Sequence, residues 1–186
     1  MSGDDHREGG YVETYTGNRF YPFDPRPAEV DLRDVASGLA HTCRFGGQCR
    51  TFYSVALHSL HVSRDLARTG RGPRVQLHGL LHDAGEAYVG DVPRPVKTEF
   101  ASLERVEERI REAVWAALDV RPPDEEEWAA VVAADDRLLA YEASELLADG
   151  SWAAEPPDVD YDLRAGSVDD VRERFLERAT GLLAAL

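Results

Sequence analysis

The chain has 186 residues, 43% of them hydrophobic and 30% charged, with a formal net charge of −14. That length suits one well-filled core rather than two domains, and no apolar run approaches the roughly 20 residues of a bilayer span, so no membrane protein is expected. The acidic balance argues against a nucleic-acid polymer, which needs a basic stripe. It leaves room for a small phosphorylated ligand, because exposed charges are screened over about 8 Å at physiological salt.

Residues 1–10 (MSGDDHREGG) are polar and predict a disordered start, unlike a secretory leader, so a cytoplasmic location is expected. Residues 11–30 mix aromatics with Gly17, Pro22, Pro25 and Pro27 and predict a short β-ribbon or extended arm. Asp31 can cap a helix running to about His41, and Gly46-Gly47 marks the loop after it. Cys43 and Cys49 are spaced as neither a redox pair nor half a zinc knuckle, and two reduced thiols are expected.

From Thr51 to Arg68 the apolar spacing is helical, with Phe52, Val55, Ala56, Val62 and Leu66 on one face. A loop over 69–73 leads to a second helix that carries Leu77, Leu80, Leu81, Ala84 and Tyr88 and stops at Gly90. The DVPRP stretch that follows cannot be regular helix. Amphipathic helices are predicted over 98–118, 124–148 and 168–185, with a long loop at 149–166. The expected fold is all-α: one compact helical bundle over 11–186 with a short non-helical N-terminal arm.

Five of the six histidines fall between positions 41 and 82. His82 and Asp83 are adjacent polar residues in an apolar helix, and Glu86 follows His82 at a spacing that places both on one helix face. A neutral imidazole and a carboxylate are apt ligands for Zn, Mn, Fe or Co. Glu86, one turn on, stands where it could accept a proton from a water held there. Taken by their spacing alone, His41, His61 and His78 read as structural or surface histidines.

The ordered set HS at 58–59, HDAGE at 82–86, GDVPRP at 90–95 and DDRLLAYEASEL at 135–146 resembles the motifs of the HD-domain metal-dependent phosphohydrolases. The bacterial 5′-deoxynucleotidase branch and its small phage and bacterial relatives are the nearest in pattern, and the likeness runs from about Tyr15 to Leu147. The resemblance implies one divalent metal ion (Co, Mn, Zn, Fe or Mg) held by His58, His82, Asp83 and Asp136, with Asp135 as the alternative last ligand. It implies Glu86, Asp91 and Arg44 as catalytic residues, and a substrate surface of Arg44, Phe45, Asp91, Val92, Pro93 and Arg94, with Arg50 as the alternative to Arg44.

Three features bear on that resemblance. Leu57 stands where many relatives carry Glu or Gln, and Arg94 stands where the monophosphate enzyme has Thr. No histidine follows His82, whereas the di-metal branches use further histidines there, so a single metal is implied. The expected reaction is phosphate release from (deoxy)nucleoside 5′-monophosphates. The alternatives are triphosphohydrolysis at the same metal and a nucleotide-binding sensor without turnover. The expected partner is a small nucleotide, and a homodimer is left open.

Overall fold

The computed structural model describes residues 7–164 and 166–186, so most of the expected disordered start lies outside the described residues. Arg7, within that start, is held in place. Its guanidinium pairs with Asp24 at 2.6 Å and with Glu29, and lies 4.0 Å over the Tyr21 ring. These partners are 14 to 22 residues away in sequence, out of reach of a reading based on local composition. The arm is the expected ribbon: β1 (Val12–Glu13) pairs antiparallel with β2 (Arg19–Phe20). Phe20 fixes it to the body, fully buried and stacked 3.8 Å from Tyr88.

The remainder is helical, and the fold class is all-α. Helix α1 (Leu32–His41) starts where Asp31 accepts from the Arg33 N–H, as expected for an N-cap. Helix α2 (Val55–Arg68) is capped by Ser54, which accepts from the Leu57 N–H. The helix therefore begins four residues after the start expected at Thr51. Phe52 stays exposed, and Tyr53 goes into the core instead.

The expected continuous helix to Gly90 is broken into α3 (Pro73–Leu81) and α4 (Glu86–Val89), with turns over 82–85 between them. There the bonding tightens to i→i+3, with Ala84 N–H on Leu81 O and Glu86 N–H on Asp83 O. A short α5 (Arg94–Lys97) follows Pro93, with Pro95 in its first turn, where a missing N–H costs nothing. Helices α6 (Ala101–Ala117), α7 (Glu125–Leu146) and α8 (Val168–Leu183) complete the chain near their expected bounds. A reciprocal Asp124–Glu127 capping box starts α7.

Helix α2 is buried on nearly every side, which marks it as the central helix rather than an amphipathic surface one. Helices α1, α3, α7 and α8 pack around it. It meets α3 closely at Gly79, where a Cβ would stand 2.3 Å from Leu66 Cδ1 and force that side chain to shift. Leu39, Leu60, Leu77, Leu80, Ile110 and Phe175 fill the main core, and Val62, Leu66, Val131 and Leu138 fill a second cluster toward α7. Among the described residues, no helix is long and apolar enough to cross a membrane.

Candidate metal centre

The polar residues of the motifs converge where α2, the turn after α3, and α7 meet. His58 comes from the first turn of α2, and His82 and Asp83 come from the turn that ends α3. Asp135 projects from the middle of α7. The His58 and His82 Nε2 atoms stand 3.3 Å apart. Asp83 Oδ2 lies 3.2 Å from His82 Nε2 and 3.8 Å from His58 Nε2. Asp135 Oδ1 lies 3.1 Å from His58 Nε2 and 3.9 Å from His82 Nε2.

The outer nitrogens decide what these groups can do. His58 donates from Nδ1 to Glu142 Oε1 at 2.6 Å, and His82 donates from Nδ1 to the Gly79 carbonyl at 2.8 Å. Each neutral ring then presents its Nε2 lone pair inward. Two lone pairs and two carboxylates facing one small space repel unless a cation or protons sit among them. The donor set therefore fits a metal ion: His58, His82 and Asp83 have ligand atoms all within 4.8 Å of one another and could hold one. Protons compete for the same nitrogens. Burial opposes charge on His82, but Asp83 and Asp135 raise it to about 10. On His58, Glu142 and Asp135 outweigh burial and Arg44 and likewise push it up. Burial would raise Asp83 and Asp135, yet the imidazoles hold both carboxyls below their usual range.

The expected fourth ligand, Asp136, is not brought to this point. Its carboxylate is 56% exposed and lies 3.8 Å from Arg94. One residue on a helix is a rotation of about 100°, and the buried stripe of α7 runs through Val131, Ala134, Leu138 and Glu142. Asp135 borders that stripe, and Asp136 points away from it.

Arg44 sits on the 3₁₀ turn Arg44–Gly47, nearly buried, and it borders the metal-ligand cluster. Its Nη2 donates to Glu142 Oε2 at 3.3 Å, while Nη1 lies 3.9 Å from both Asp83 and Asp91. Burial would lower its pKa, but Glu142, Asp83, Asp135 and Asp91 together raise it. Arg50, the alternative, is exposed and bonds the Ala148 carbonyl, away from the cluster. Phe45 takes a positive φ of 57° beside Gly46 and packs against the core. A Cβ on Gly46 would press to 3.2 Å on Pro93, so this turn lies directly against the Asp91–Pro93 segment.

Glu86 is buried, with Oε1 accepting from Lys97 Nζ at 3.1 Å and Oε2 without a partner. Burial, then Asp83 and Asp91, push its pKa well up, against the pull of Lys97 and Arg44. Lys97 is itself shared with Glu107 at 2.9 Å. Asp91 Oδ2 is likewise buried and unbonded. Val92 and Pro93 are half-buried along the same segment, and Arg94 is exposed, within 4.0 Å of Asp135 and Asp136.

No family model matches the chain. It is similar to the uncharacterized protein YfdR of Escherichia coli, 33% identical over 100 residues covering 54% of this chain and 53% of that protein. It is also similar to an uncharacterized protein of Rhodobacter capsulatus, 44% identical over 86 residues and 44% of each chain. The chain thus spans about half the length of the curated relatives it matches.

Several residues at the centre escaped the sequence reading. Glu142 is fully buried and takes donors from His58, Arg44 and the Tyr53 hydroxyl, the last at 2.8 Å. It lies seven residues after Asp135, two helical turns along the same face, and that spacing was the available signal. Arg111 reaches from α6 to the His82 carbonyl at 3.3 Å, a long-range contact that left no local trace. The three remaining described histidines are structural, as expected. His41 bonds the Ser37 carbonyl, His61 the Asp162 carbonyl, and His78 is buried edge-on to Trp115.

Proposed function

We propose that this chain is a metal-dependent phosphohydrolase of the HD-domain kind that releases phosphate from (deoxy)nucleoside 5′-monophosphates. One divalent ion per chain is held by His58, His82, Asp83 and Asp135. The observation that carries the reading is a juxtaposition: a cluster of cation-seeking ligands borders a buried arginine with one nitrogen anchored on Glu142 and the other, Nη1, beyond hydrogen-bond range of Asp83 and Asp91. A phosphate ester needs both charges, because negative charge on its peripheral oxygens must be balanced during transfer.

The bound ion supplies positive charge at the reacting phosphate and a more acidic water. Arg44 neutralises and orients the phosphate from the opposite side. Glu86 accepts the proton of the attacking water at Oε2, while Lys97 holds Oε1 still. Burial, Asp83 and Asp91 raise its affinity for a proton above that of an ordinary carboxylate. Asp91, with an unbonded buried oxygen, faces the leaving 5′-oxygen. Lys97 is committed to Glu86 and Glu107, so it is not free to meet a distal phosphate, which leaves only Arg94 to favour a triphosphate substrate.

A nucleotide screen with Co²⁺, Mn²⁺ or Mg²⁺, read separately for orthophosphate, pyrophosphate and triphosphate, tests the assignment. Orthophosphate from monophosphates is expected, and Glu86→Gln should lower turnover by about 10²–10⁴-fold with the ion still bound. Triphosphate as the first product would replace the substrate assignment. No product with any ion would leave a nucleotide sensor as the better reading.

A further inference from the structure

We propose that Glu142 is a positioning residue that ties the cation-binding histidine to the anion-binding arginine, so that the two halves of the site hold their geometry through one carboxylate. This rests on the phosphohydrolase reading for its arginine half and on the donor geometry alone for its histidine half. Glu142 is fully buried, and its two oxygens are divided. Oε1 accepts from His58 Nδ1 at 2.6 Å and from the Tyr53 hydroxyl at 2.8 Å. Oε2 accepts from Arg44 Nη2 at 3.3 Å.

Each contact has a separate physical consequence. The bond to His58 fixes the ring's tautomer and direction and makes its inward nitrogen a better ligand, the usual task of a carboxylate behind a metal-binding histidine. The bond to Arg44 anchors one end of a guanidinium whose Nε has no partner. Its other contacts, at 3.9 Å, are too long to be hydrogen bonds. Without Glu142 the arginine has no hydrogen bond to aim it, and the three remaining carboxylates, Asp83, Asp135 and Asp91, pull it in different directions. The three donors come from α2, from the residue before its cap and from the 44–47 turn. Glu142 on α7 is therefore where these segments are brought into register.

Calorimetric titration of the full chain with Co²⁺ alone, and then with inorganic phosphate at saturating Co²⁺, separates the two tasks. Glu142→Gln keeps the shape but has one acceptor oxygen, and its amide N–H groups would face either Arg44 or His58. Cobalt affinity is expected to fall about 10–100-fold, and phosphate affinity should fall as well at saturating cobalt. Loss of packing alone would not weaken phosphate once the ion is bound. Tyr53→Phe leaves the bonds of Glu142 to His58 and Arg44 in place and should weaken both affinities less than Glu142→Gln does.

If Glu142→Gln does not fold, Glu142→Asp keeps the buried charge, withdraws the carboxylate by one methylene, and carries the same two expectations. Unchanged cobalt affinity in the folded variant overturns the histidine half. Weaker cobalt binding with unchanged phosphate binding overturns the tie to Arg44. Wild-type protein that binds cobalt and no phosphate overturns the arginine half together with the phosphohydrolase reading, and the cobalt titration then decides the rest.

Discussion

His58 and Asp65 lie seven residues apart on α2, both shut away from solvent and both joined to α7. Around Asp65 every charge is matched. Its carboxylate accepts from Arg68 at 2.7 Å, Arg137 at 2.5 Å and the Tyr161 hydroxyl at 2.8 Å, and these partners hold it below its usual range despite burial. Around His58 the groups are matched only toward the outside. Inward, lone pairs and carboxylates face one another, and Glu86 Oε2, Asp91 Oδ2 and Arg44 Nε have no partner. The same helix thus carries a satisfied cluster that fastens α7 and the following loop, and an unsatisfied one that a ligand would complete. Both clusters are buried and charged, and of the two it is the one around His58 that leaves polar atoms unpaired.

Substitutions can break that contrast at either end. The largest effect is expected at the ligands. Asp135→Ala should weaken Co²⁺ binding by more than the roughly 100-fold set by loss of an outer partner, whereas Asp136→Ala should leave it unchanged, as a titration of both variants would show. The reverse ranking would restore the assignment expected from sequence.

At the satisfied cluster, Asp65→Ala should cost about 2–3 kcal/mol of stability, the loss of charge-assisted hydrogen bonds whose arginine partners can still reach water. Cobalt stoichiometry should not change. Urea midpoints set beside metal analysis would expose any effect of the satisfied cluster on the site.

The smallest effect sharpens the contrast by pH. Burial lowers His61 and His78 to about 4, whereas the ligand histidines are raised. A histidine that titrates near 6.5 unfolded and near 4 folded binds more protons when unfolded, so its contribution is complete above about 6.5 and is lost as pH falls toward 4. His78 has neither ring nitrogen bonded, and His78→Leu removes that titration. The variant's stability relative to wild type should improve between pH 7 and pH 5, by at most about 1.4 kcal/mol per unit. An equal difference at both pH values would show that His78 does not titrate with folding.

Much of this architecture is legible in the chain because the helices are written with local signals. Asp31 and the Asp124 box cap as expected, and the prolines at 122–123 and 156–157 fall in breaks. The misplacements have specific causes. Phe52 and Tyr53 are both aromatic, and only the Ser54 cap decides which one faces inward. The motif 82–86 looks like continuous helix because apolar spacing does not register a tightening from i→i+4 to i→i+3. Asp135 and Asp136 are chemically identical neighbours, and choosing between them requires the phase of α7, set by Val131, Leu138 and Glu142 together. Arg111 reaches His82 across a sequence separation that no periodicity encodes, whereas Glu142 shares the helical phase of Asp135 on α7. Arg44 and Arg50 are likewise the same residue type, and their places differ because Arg44 lies on the turn beside Glu142 whereas Arg50 is exposed and bonds the Ala148 carbonyl.

The missing side chain at Gly79 has a mechanical consequence for whatever binds between the two imidazoles. Helix α2 carries His58 and α3 leaves His82 at its end, and at Gly79 the main chain of α3 meets the side chains of Leu66 and Val62 on α2. The carbonyl that aims His82 belongs to this same glycine. A methyl group added at position 79 would press on Leu66 from the very residue whose carbonyl aims His82, so the packing of α3 on α2 and the direction of that ring are coupled through one glycine.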